Sequence, residues 1–159
     1  MNVLSQLHTK DLATISALIK NKEVSPVDIV NELLERIDQI DPILNSIITL
    51  NREEALRNAE IAEEEISQGK YRGPLHGVPI GIKDLVFTKG IKTTMGSEIY
   101  EDYIPTENAF VIDQLEKAGA IIFGKLNTHQ FAYGPTGDRS YYGPVKNPYD
   151  TTKITGGSS

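Results

Sequence analysis

Gly119-Ala120-Ile121-Ile122-Phe123-Gly124 is an unbroken apolar run that reads as a buried strand. It follows at once on an amphipathic stretch, Thr106 to Ala118, whose Phe110, Val111 and Leu115 would face inward, with Gly119 closing that helix. Helix, glycine and apolar strand in that order is the grammar of an α/β fold, a sheet covered by helices. A second short β-prone run, Val78-Pro79-Ile80-Gly81-Ile82-Lys83-Asp84-Leu85-Val86, adds another strand to the sheet.

Upstream, residues 1–70 have a helical pattern. Ser25-Pro26-Val27-Asp28 is a helix start, with a capping serine, proline at the first helical position and an acid in the first turn. Val27, Val30, Leu33, Leu34, Ile37 and Ile40 form one apolar stripe behind it, and Asp41-Pro42 is expected to end it. A weaker helix runs from about Thr9 to Lys20, with Leu12, Ile15, Leu18 and Ile19 inward. A third spans about Arg52 to Gln68, with Gly69 as its stop and Glu53, Glu54, Glu60, Glu63, Glu64 and Glu65 on a solvated face.

Composition bounds the function. The 159 residues are 39% hydrophobic and 24% charged, as in a globular domain with a sizeable core. A net charge of -6 argues against a nucleic-acid surface, and no apolar run is long enough for a bilayer. Met1-Asn2-Val3-Leu4-Ser5 carries no secretory pattern, and the absence of cysteine excludes disulfides, thiolate metal sites and a cysteine nucleophile. A cytoplasmic protein is the expectation. His8, His76 and His129 are too scattered for a metal-site pattern, and His129 is read as a partly exposed loop histidine.

Two places carry candidate chemistry. Lys83 stands among Ile80, Ile82, Leu85 and Val86, either at a strand end reaching water or an acid, or as a desolvated amine able to act as a base. Adjacent Asp84 would point to the opposite face of the strand and is a poor partner for it. Gly77 to Asp84 is not a phosphate-binding loop: its glycine spacing is one residue short and Asp84 stands where the metal-binding hydroxyl belongs. Gly134 to Ser159 is a long Gly-, Pro-, Tyr- and Asn-rich stretch, as functional loops often are. It ends in Gly156-Gly157-Ser158-Ser159, a turn that can expose a serine and aim backbone N–H groups at developing charge. A Gly-x-Ser-x-Gly elbow is absent.

In order, these pieces resemble the amidase signature family. Gly73-Pro74-Leu75-His76-Gly77-Val78-Pro79-Ile80-Gly81-Ile82-Lys83-Asp84 is similar to the family's catalytic-lysine segment. Gly124-Lys125-Leu126-Asn127 with Phe131-Ala132-Tyr133-Gly134 looks like its next block, and Asn147-Pro148-Tyr149-Asp150 leading to Gly156-Gly157-Ser158-Ser159 like the opening of its Gly/Ser-rich signature. The resemblance implies the N-terminal portion of a single amidase domain, its mixed sheet covered by helices. Residues 1–70 would be the helical region and 71–159 the start of the α/β core, which is left incomplete. It implies amide hydrolysis through an acyl-enzyme by a Ser–cis-Ser–Lys triad, with Lys83 as base and Ser158 as the bridging serine on a cis peptide. Tyr133, Gly134, Gly156 and Gly157 would contact the substrate, a small-molecule amide.

The family's nucleophilic serine lies further on, in a motif that none of these residues matches, and Ser159 is only the neighbour of Ser158. The chain alone is therefore expected to be a truncated, inactive fragment. The resemblance implies no cofactor, no metal and no membrane, and either a homodimer or the partner subunits of an amidotransferase. A stand-alone amidase is preferred over the glutaminase subunit of a tRNA-dependent amidotransferase. Those subunits tend to carry Asp-Glu where His129-Gln130 stands. A non-catalytic remnant is the third reading.

Overall fold

The computed structural model describes residues 7–158, so Met1 to Gln6, with the N-terminal pattern read there, and Ser159 lie outside the described residues. The elements in chain order are α1 (Leu12–Lys20), α2 (Pro26–Leu44), β1 (Ile47–Leu50), α3 (Arg52–Ser67), β2 (Pro79–Lys83), α4 (Phe110–Lys117) and β3 (Ile121–Leu126). The chain divides into two compact units, residues 7–37, 51–80 and 113–123 in one and 38–50, 81–112 and 124–158 in the other. The strands form one sheet in the order β1-β3-β2. β1 pairs antiparallel with β3, Thr49 opposite Lys125 and Leu50 opposite Gly124. The Ile121 N–H donates to the Val78 carbonyl and the Asp84 N–H to the Leu126 carbonyl, so β2 and β3 advance together and the sheet is mixed. Gly124 is required there, because a Cβ would stand 2.4 Å from the Thr49 carbonyl oxygen.

In the first unit, Asp11 caps α1 by accepting from the Thr14 N–H at 2.7 Å, and Ser25 caps α2 by accepting from the Asp28 N–H at 3.1 Å. The core joins Leu7, Ile19, Val24, Ile29, Ile66 and Val78, with Ile15, Leu18 and Tyr71 packed against it. Leu12, expected inward, is exposed. Gly69, at φ +81, stops α3 as expected, its N–H donating to the Ile66 carbonyl at 3.0 Å. Glu53, Glu60, Glu63 and Glu64 are solvated, but Glu65 is not an idle face residue. It binds the Arg72 guanidinium at 2.5 Å and faces His76 Nε2 at 3.0 Å. His76 Nδ1 accepts from the Arg72 backbone N–H, so Nε2 carries the proton and faces the Glu65 carboxylate. Burial, then the nearby Arg72 charge, holds this imidazole below its ordinary pKa. In α4 the buried residue is Ile112, while Phe110 and Val111 are exposed. The helix also starts later than its apolar pattern suggests, at Phe110.

α2 runs past Pro42 to Leu44 instead of ending at Asp41-Pro42. A proline in the last turn removes one helical N–H. The ending is made afterwards by Asn45, at φ +55, and by the Asp41 carboxylate, which accepts from both the backbone and the hydroxyl of Ser46. β1, within the stretch expected to be helical, follows directly. β2 is shorter than its apolar run, and β3 extends beyond Gly124 to Leu126.

Candidate active site

Lys83 ends β2, half-buried, and its Nζ donates to the Oγ of Ser158. The Gly157–Ser158 peptide bond is cis. The Ser158 carbonyl is held twice, by the Thr128 hydroxyl at 2.6 Å and by the His129 N–H at 2.8 Å. Both donors sit just past β3, where Asn127 anchors the chain. Its side-chain NH2 donates to the carbonyls of Asn45 (2.9 Å) and Gly143 (3.3 Å), and its Oδ1 accepts from the Thr128 N–H (2.8 Å). An amine touching a hydroxyl can move a proton in either direction, because the hydroxyl both donates and accepts.

Asp84 does point away from Lys83. Its fully buried carboxylate takes the Thr94 N–H at 2.9 Å, the Thr94 hydroxyl at 2.6 Å and the Gly96 N–H at 3.3 Å, all on Oδ2. Its backbone carbonyl takes the Met95 N–H at 2.9 Å. Met95 and Gly96 are both at positive φ, and the Met95 carbonyl in turn accepts from the Phe131 N–H. One aspartate thus fixes a strained turn that supports the loop after Thr128. Burial raises its pKa against those hydrogen bonds. Lys125 is equally buried, its ammonium held by the Val86 carbonyl, the Thr93 hydroxyl (2.8 Å) and the Thr88 hydroxyl (3.2 Å). Burial lowers its pKa to about 8, with the Asp84 charge opposing.

His129 is buried, not the partly exposed histidine its loop position suggested. The imidazole lies on Gly134, where a Cβ would come within 2.4 Å of the ring. That contact explains the glycine of the Phe131-Ala132-Tyr133-Gly134 block. Tyr133 projects into solvent and lines an open pocket with His129, Gln130, Phe131 and Arg139. Gly157 runs against 135–137, since a Cβ there would stand 2.9 Å from the Gly137 nitrogen, while Gly156, at φ +82, has open space beside it. The structure therefore joins Lys83 to Ser158 and brings Gly157 and, through His129, Gly134 close behind them. Among the described residues no group of three or more His, Asp or Glu is placed to hold a metal, and no helix is long and apolar enough to cross a membrane.

Thr128, the His129 backbone, Asp84 and Lys125 are the site residues that sequence reasoning missed. Lys125 and Asp84 stood inside the blocks that carry the resemblance, yet only burial shows that they are structural charges.

The sequence profile of the amidase family matches residues 28–159. This chain belongs to the amidase family. A glutamyl-tRNA(Gln) amidotransferase subunit of Methylococcus capsulatus is 42% identical over 153 residues, covering 96% of this chain and 31% of that protein. A crystal structure of an amidase matches with a TM-score of 0.86 at 35% identity, over 94% of this chain and 34% of the other. The native peptide amidase from Stenotrophomonas maltophilia matches with a TM-score of 0.87 at 30% identity, over 98% and 33%. This amidase chain spans about a third of the length of the relatives it matches. Its mixed sheet and helices are the corresponding part of the amidase signature fold.

Proposed function

We propose that these residues are the N-terminal portion of a single amidase domain that hydrolyses amide bonds in the cytoplasm. Lys83 is its base and Ser158 its proton-relaying serine. The hydrogen bond between Lys83 Nζ and Ser158 Oγ carries this reading. Ser158 takes the proton of a nucleophilic serine found further along the full-length relatives and passes its own to Lys83. The nucleophile attacks the amide carbonyl, the leaving amine departs with a proton returned along the same path, and water then hydrolyses the acyl-enzyme. Gly156 and Gly157 line the substrate side, and backbone N–H groups hold the oxyanion.

The test is a fusion of this chain to the remaining two thirds of the Methylococcus capsulatus relative, assayed for ammonia release from simple amides and from glutamine. The fusion should turn over, the chain alone should not, and Lys83→Ala or Ser158→Ala should each cost about a hundredfold or more. Undiminished activity in either variant would remove that residue from the mechanism. A second reading, the glutaminase component of an amidotransferase, is favoured by the 42% identity to the Methylococcus capsulatus protein. That identity exceeds the 35% and 30% shared with the structurally matched amidases. It shifts the balance away from the stand-alone enzyme that His129-Gln130 had suggested. Turnover of glutamine, with simple amides inert, would decide for it.

A further inference from the structure

The buried carboxylate of Asp84 has no part in the proposed reaction, yet it closes a circuit of contacts that begins and ends beside the relay. Its Oδ2 alone accepts from the Thr94 N–H, the Thr94 hydroxyl and the Gly96 N–H. Its Oδ1, also buried, has no hydrogen-bond partner among the described residues, so a single acceptor atom holds the turn at 94–97. That turn meets the loop after β3 at three points. The Met95 carbonyl accepts from the Phe131 N–H at 2.9 Å, and the Ser97 hydroxyl accepts from Gln130 Nε2 at 3.0 Å. Gly96 lies so close to Thr128 that a Cβ would stand 2.7 Å from its carbonyl oxygen. On its other side the loop grips the Ser158 carbonyl through the Thr128 hydroxyl and the His129 N–H, and Ser158 meets Lys83. Lys83 immediately precedes Asp84, whose own N–H ties the end of β2 to the Leu126 carbonyl at 3.0 Å. One residue therefore fixes both the strand that ends in the amine and the support beneath the loop that holds the hydroxyl. Close-packed groups have few alternative positions, so a displacement at one link passes to the next. A shift of about 1 Å at Ser158 is enough to break its hydrogen bond to Lys83.

We propose that Asp84 is a positioning residue: through the 94–97 turn, Thr128 and His129 it sets the place of Ser158 against Lys83. That this contact passes a proton rests on the amidase reading; the placement does not. In the 159-residue chain, NMR reads the cross peak between the Lys83 Hε and Ser158 Hβ protons and the exchange rate of the His129 amide. Circular dichroism and the amides of α1 and α3 are the folding controls. Asp84→Ala should erase the cross peak and speed His129 exchange about tenfold or more while the controls hold. Asp84→Asn keeps one oxygen for all three donors and should restore both readings, so that the effect follows the acceptor and not the charge. Thr94→Val removes only the 2.6 Å hydroxyl bond and should speed His129 exchange about fivefold. It decides the matter if Asp84→Ala does not fold. Unaltered readings in a folded Asp84→Ala or in Thr94→Val, or an Asp84→Asn no better than Asp84→Ala, overturn the proposal. A fusion that never turns over, with both readings moved in Asp84→Ala, counts against the amidase reading alone and leaves the placement standing.

Discussion

Lys125→Met tests the energetics of the buried ammonium. Lysine at 10.5 in the unfolded chain and about 8 in the fold means that folding disfavours the charged form. At about 1.4 kcal/mol per pH unit, this withholds roughly 3 kcal/mol from the native state wherever both forms are charged. The sign follows from proton counting. Between pH 8 and 10.5 the unfolded chain holds a proton that the native state has lost, so stability rises with pH across that window and is flat below it. Methionine keeps the length of the side chain and removes the titration. The Val86 carbonyl keeps the Thr88 hydroxyl as a donor, and the Thr93 hydroxyl still donates to the Ile91 carbonyl, so few groups are orphaned. Urea unfolding followed by far-ultraviolet circular dichroism, run on both proteins from about pH 7 to 10.5, isolates the lysine, because tyrosines and other lysines titrate alike in both. Wild type should gain roughly 3 kcal/mol on the variant over that range. A difference that stays constant with pH would refute the argument.

Gly134→Ala forces a methyl into the His129 ring, 2.4 Å away. We expect a loss of about 1–3 kcal/mol, seen as a lower Tm, with the His129 ring resonances displaced. Thr128→Val removes the 2.6 Å bond to the Ser158 carbonyl. Faster amide exchange at Gly157 and Ser158 should follow, with α1 to α3 unchanged; an unaltered exchange rate would show that the His129 N–H alone suffices. His76, held below its ordinary pKa, contributes stability that is full above about pH 6.5 and fades as pH falls through the window below it. His76→Gln should remove that acid-side slope from a urea-unfolding series between about pH 7 and 5, and an unchanged slope would place the titration on another group.

The start of α2, the stop of α3 at Gly69 and the strand after Gly119 were readable because each depends on local rules of capping, left-handed backbone and apolar run length. β1 was missed although Ile47-Ile48-Thr49-Leu50 is β-branched and apolar, because four residues beside a helix are below the length at which alternation is distinct. The face of α4 was misassigned because Phe110 and Val111 are apolar yet exposed, and hydrophobicity alone cannot separate core from accessible surface. Lys83 and Ser158 came from the order of blocks, not from their chemistry; nothing local in Gly-Gly-Ser-Ser points to a lysine far upstream. The buried charges of Asp84 and Lys125 were unreadable for a related reason. Their partners, Thr94 and Gly96 for one and Val86, Thr88 and Thr93 for the other, are set by tertiary packing.

The anchoring of Ser158 to Thr128 and His129 has a kinetic consequence. Lys83 and Ser158 are 75 positions apart, while Thr128 and Ser158 are 30 apart. Ring closure over the longer span costs about 0.8 kcal/mol more than over the shorter, since the entropy grows only as the logarithm of length. Once β2 and β3 are paired, the Gly-Gly-Ser turn needs to search only the shorter loop to reach its lysine, roughly a fourfold gain in encounter probability. During synthesis the sheet can wait, already ordered, for the stretch beyond Thr128 to leave the ribosome and find a receptor built to hold it.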